Sequence, residues 1–142
     1  MPDLSPNQPK YPWFLDANDR YREVVRSIIG LSTGALVVPF FFLTNFPTKP
    51  VSGPIGALLS WEVYLSWAFL GMAIVFGLLY YYTSAAWVWV AWGQNAYFFG
   101  KGLEPEAWKK VDAYLRYSFC GCVICFGLGI VFALWYMATY PK

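Results

Sequence analysis

Three thiols, Cys120, Cys122 and Cys125, fall in a C-x-C-x-x-C pattern that could in principle hold a metal ion. A tetrahedral site needs four ligands, and the chain contains no histidine to supply the missing one. On a helix Cys122 and Cys125 share a face while Cys120 turns away. They read first as small packing residues, with lipidation or redox sensing as the other uses, and an odd count gives no disulfide framework. The absence of histidine also removes His-ligated haem and the Ser-His and Cys-His nucleophile pairs. No catalytic residue, metal ligand or cofactor is therefore expected.

Two further features could carry chemistry. Glu62 is the one acid beside a long apolar stretch and is a candidate ion or proton site, although its place next to Trp61 at the stretch's edge lets it reach water. Tyr80, Tyr81, Tyr82, Thr83 and Ser84 form the most polar patch of that stretch, and they mark either a membrane interface or a site for a lipid, quinone or pigment ring. The hydroxyls of Ser32, Thr33, Ser66, Thr83 and Ser84 are scattered and outline no continuous pore wall.

The elements that must position these groups are membrane helices. The 142 residues are 58% hydrophobic, 22% aromatic and 13% charged, with a mean hydropathy of +0.44. That composition belongs to a small integral membrane domain. A net charge of +2 without a basic stripe excludes nucleic acid as a partner.

After Glu62 no charge appears until Lys101, so Trp61 to Trp92 must cross a bilayer. As a helix it would reach about 48 Å against roughly 30 Å of hydrocarbon, and so overshoots one face or tilts. Residues 1–15 carry Pro2, Pro6, Pro9 and Pro12 and are expected to form an extended arm with an apolar tip at Tyr11, Trp13 and Phe14. The arm is not expected to be a signal peptide, because the first long apolar run starts only near Ile28. Asp16 is the expected N-cap of the first helix, and Pro39 is expected to kink it. The second helix is expected to run on past Trp92 to a C-cap at Gly100 or Gly102. Glu104 and Pro105 open the third.

The fold predicted is all-α, an integral membrane bundle of three transmembrane helices at about 28–46, 61–84 and 117–139. Helical extensions at about 16–27, 88–99 and 105–116 stand on one side, so that residues 16–142 form a single domain. Eight of the ten Lys and Arg residues flank that side, with Lys49 and Lys142 on the other. The positive-inside rule then makes it cytoplasmic, the N-terminus inside and the C-terminus outside. The expected location is a bacterial inner membrane. The mixed charges of the extensions read as a solvated, salt-bridged face, with a docking surface for a soluble partner as the other use.

Small residues recur every four positions in the third span at Gly121, Cys125, Gly129 and Ala133. The first span offers Gly30 and Gly34, and the second Ala73 and Gly77. Such ridges let helices approach closely in lipid, either within the bundle or toward further copies or other membrane subunits. Three functions follow in order. The first is a non-catalytic accessory or assembly subunit of a larger membrane complex. The second is a homo-oligomeric pore or membrane-perturbing effector, and the third, least supported, is a transporter or membrane enzyme.

Overall fold

The structure, a computed structural model, describes residues 9, 12–45, 60–92, 94, 96–98, 101–103 and 108–139. Its elements are α1 (Pro12–Asn45), α2 (Trp61–Ala91), a short ribbon of β1 (Ala96–Phe98) and β2 (Lys101–Leu103), and α3 (Trp108–Thr139). Apart from Pro9, the arm before Tyr11 and the connection at 47–59 lie outside the described residues, as does the start of α3 at Glu104 and Pro105.

α1 corrects the expected boundary of the arm. It is helical from Pro12, not from Asp16. Proline suits the first helical turn, where its missing N–H is not needed. Asp16 accordingly does not cap the helix. It pairs with Arg20 one turn on at 3.2 Å, as Asp19 pairs with Arg22 at 3.7 Å. The helix then runs through Pro39 without a break.

α2 starts at Trp61 after Ser60, whose extended backbone (φ −74°, ψ 161°) has the N-cap conformation. Its end corrects a second expectation, since it stops at Ala91 and the 88–99 extension is not one helix. The N–H of Trp92 returns to Val88 O at 3.2 Å and that of Gln94 to Trp89 O at 3.0 Å, the reach-back of a Schellman-type stop. Beyond it β1 and β2 pair antiparallel, Ala96 opposite Leu103, Tyr97 opposite Gly102 and Phe98 opposite Lys101. Consecutive aromatics between glycines suit a ribbon better than a helix.

The three helices alternate in direction. Asn18 meets Ser84 while Ile29 meets Gly77, so α1 and α2 are antiparallel. Phe119 meets Tyr80 while Phe132 stacks on Phe69 at 5.7 Å, so α2 and α3 are antiparallel too. α2 lies along α3 for its length, α1 leans chiefly on α2, and α1 and α3 meet at few points.

α2 organises the bundle through one seam. Val63, Ser66, Leu70, Ala73, Gly77, Tyr80, Ser84, Trp87 and Ala91 are all buried, at alternating steps of three and four. This is the 3.5-residue repeat of helices that wind around each other with a left-handed twist. The seam is small or polar at most positions because in lipid the apolar residues can face outward at no cost.

Outward is where they face. α2 and residues 109–139 of α3 are long and apolar enough to cross a membrane, with only 33% and 17% of their most apolar windows buried inside the molecule. Leu78, Val75, Ile124, Val131 and Leu134 are all exposed. A core helix of a water-soluble protein would bury such residues; these need an apolar surrounding.

Candidate functional site

The side chains with polar chemistry converge at one end of the bundle. Asn18 of α1 is 3% exposed and Tyr80 and Ser84 of α2 are 0% and 2%. Asn18 Nδ2 donates to Ser84 Oγ at 2.8 Å, Ser84 Oγ donates to Asn18 Oδ1 at 3.0 Å, and Tyr80 OH donates to the same Oδ1 at 3.2 Å. One amide thus ties α1 to two successive turns of α2. In a low-dielectric interior such a network holds the helices in one register, because breaking it strands buried polar atoms.

The polar patch of α2 resolves into different directions. Tyr80 points inward. Tyr81 reaches α1, its hydroxyl donating to Arg22 O at 3.1 Å while the Arg22 guanidinium lies 5.6 Å from its ring centroid. Tyr82 is exposed, and the buried Thr83 hydroxyl donates one turn back to Leu79 O at 2.6 Å.

Beside the Asn18 network α1 and α3 diverge and leave a cleft of about 480 Å³ over α2. Ala17, Asn18 and Tyr21 form one wall, Tyr80 and Trp87 the base, and Asp112, Leu115, Arg116, Phe119 and Cys120 the other wall. The rings are set against one another: Tyr21 meets Phe119 edge-on at 5.0 Å between centroids, and Tyr80 lies tilted to Phe119 at 6.0 Å. Arg116 Nε and Asp112 Oδ2 form an ion pair at 2.9 Å on the α3 wall. Such a site offers ring surfaces and hydrogen bonds, which is the chemistry of holding a molecule.

The small residues divide into two groups. A Cβ on Gly77 would meet Ile29 Cδ1 at 2.7 Å, one on Gly121 the Phe76 ring at 3.0 Å, and one on Gly129 Leu70 Cγ at 2.7 Å. Ala73 is buried in the α2 seam, and Ser66 Oγ donates to Gly129 O at 2.8 Å. Cys125 and Ala133 are half-buried. Gly30 and Gly34 differ, since a Cβ on either would meet nothing within 4 Å.

The remaining candidates stay apart. The thiols are free, with Cys120 exposed, Cys122 buried and Cys125 between them, and no group of three His, Cys, Asp or Glu among the described residues could hold a metal. Glu62 is half-buried in the first turn of α2, and its Oε2 is without a hydrogen-bond partner among the described residues. It stands at the opposite end of α2 from the cleft. Ser32 is wholly buried on α1, also without a partner for its hydroxyl there.

Asn18 is the residue that sequence reasoning missed. Among the charges of DANDRYRE it looks like one more solvated side chain. The available signal was its spacing: Asn18, Val25 and Ser32 stand seven apart, on one stripe of α1, and all three are buried. Comparison with protein-family models, with curated proteins and with solved structures finds no match to this chain.

Proposed function

We propose that this chain is a non-catalytic accessory or assembly subunit of a larger membrane complex, crossing the bilayer three times with its N-terminus and the α2–α3 connection on the cytoplasmic side. One observation carries the reading. The glycines of α2 and α3 that permit close approach, Gly77, Gly121 and Gly129, are covered within the chain, whereas Gly30 and Gly34 of α1 face open space. With exposed Leu31 and Val37 beside them, they leave α1 a smooth apolar face of the kind on which another membrane helix packs. α1 also has the least covering from its own neighbours, touching chiefly α2.

The test is the native mass of the chain extracted from its own membranes in a mild detergent, with co-migrating proteins identified by mass spectrometry. Foreign membrane subunits in a discrete complex support the proposal. A multiple of 16.2 kDa made of this chain alone replaces it with a homo-oligomer, for which conductance in planar bilayers is the next measurement. A monomer overturns both.

A further inference from the structure

We propose that the cleft between α1 and α3 binds a membrane quinone, a neutral planar ring carrying carbonyl oxygens on an apolar tail. The argument starts from the hydrogens of Asn18. Its Oδ1 accepts from Tyr80 OH and Ser84 Oγ, and its Nδ2 donates one hydrogen to Ser84 Oγ. A primary amide has a second N–H. That one has no acceptor among the described residues, although Asn18 lines the cleft and is 3% exposed. A buried donor without an acceptor is costly, and a carbonyl oxygen in the cleft satisfies it.

The walls select the rest of the ligand. Tyr21 and Tyr80, each ordered by its contact with Phe119, present ring faces and edges beside Trp87 and suit a flat aromatic or quinonoid ring. Charge argues against a phosphate headgroup. Arg116, the one cation lining the cleft among the described residues, is paired with Asp112 at 2.9 Å, so an anion there would meet the carboxylate as well. The volume lies in the range of small-molecule sites and takes a ring with the first part of its tail.

Position completes the match. The α1 wall of the cleft lies within the charged run from Asp16 to Arg26, two turns before the apolar run from Ile28, and its α3 wall, from Asp112 to Cys120, spans the change from charged to apolar residues. A ring at that level and a tail deeper in the bilayer is how such molecules partition. Because α1 and α3 meet at few points, the gap between them leaves the tail a way out along α2.

Cys120 supplies a reporter at the cleft wall. The full chain, purified in lipid nanodiscs, is alkylated with N-ethylmaleimide in the presence of a decyl benzoquinone whose ring is fully substituted and so cannot add to thiols. Decanol, with the same tail and no ring, is the control. Saturable slowing of Cys120 alkylation by the quinone alone is expected. Asn18→Leu should raise the half-protecting concentration about tenfold, the worth of one hydrogen bond to a buried donor. Ala17→Trp, which fills the cleft from an exposed position of α1, should abolish protection. Equal protection by decanol, protection that survives Ala17→Trp, or none up to the solubility limit overturns the proposal. Should either variant fail to fold, the quinone and decanol comparison on the unaltered chain decides alone.

Discussion

Asn18 and Ser84, 66 positions apart in the chain, exchange two hydrogen bonds across the α1–α2 contact. Each is the other's main polar partner, and both side chains are buried. Replacing Asn18 strands two hydroxyls, those of Ser84 and Tyr80, whereas replacing Ser84 leaves Asn18 its bond from Tyr80. Asn18→Leu should therefore cost about 1–3 kcal/mol and Ser84→Ala less. The double variant should cost less than the sum, by about 0.6 kcal/mol and at most ~1.7. Unfolding titrations with SDS in mixed micelles read all three, and strictly additive losses would show that the pair is not coupled.

Two glycines of α3, only two residues apart, should respond oppositely to one added methyl. A Cβ on Gly129 meets Leu70 Cγ at 2.7 Å, Cδ2 at 2.9 Å and the Leu70 backbone N at 3.2 Å, so turning the terminal methyl aside still leaves the branch point and the backbone in the way. Gly129→Ala should destabilise by about 1–3 kcal/mol. Gly127 has nothing within 4 Å. Gly127→Ala should be neutral, or stabilising by up to about 1 kcal/mol through helix propensity. The same SDS titration compares them, and equal effects would mean that the α2–α3 contact is looser than described.

The open face of α1 separates folding from association. Gly30→Leu with Gly34→Leu adds bulk where no described residue lies within 4 Å of a Cβ, so the fold should not be weakened and should gain up to about 1 kcal/mol per site from helix propensity. Native gels of membrane extracts should nonetheless lose the larger complex that the proposed function requires. Loss of stability together with the complex would place these glycines inside the chain's own packing.

The thiols should label in a fixed order. Cys120 is exposed, Cys125 half-buried and Cys122 fully covered. Mass spectrometry of timed N-ethylmaleimide reactions on folded protein should find Cys120 modified first and Cys122 last, with the order collapsing in SDS. Early labelling of Cys122 would mean that α3 is turned relative to α2.

The long uncharged run made α2 readable, because only a helix satisfies its own backbone in lipid. Its packing face was less readable. When nearly every residue is apolar, hydrophobic periodicity vanishes, and the face shows only as small and polar residues at steps of three and four, from Val63 through Ser66, Gly77 and Ser84 to Ala91. The expected ridge on α3 included Gly121 and Gly129, which lie against α2, while a Cβ on either of the equivalent pair on α1 would meet no described residue within 4 Å. Spacing alone cannot separate those cases, since it carries no information on which helix comes alongside. The end of α2 was misplaced for a local reason: no proline before Leu103 marks the stop, which shows in the reach-back of Trp92 and Gln94 and in the pairing of Tyr97 and Phe98. The Asn18 cleft needed three helices at once, so no single stretch of chain announces it.

The ordering of contacts has a bearing on biosynthesis. α1 is made first, yet the surface that covers it belongs to α2, and the larger partner of α2 is α3, made last. Emergence and packing thus run in opposite directions. The α2–α3 hairpin, joined by its ribbon, can close on nearby contacts as soon as both helices have been synthesised. Until α2 has been made, α1 must hold Asn18 and Ser32 without the neighbours that bury them in the finished molecule. Of the three helices, α1 is therefore the one that depends longest on something else to shield it.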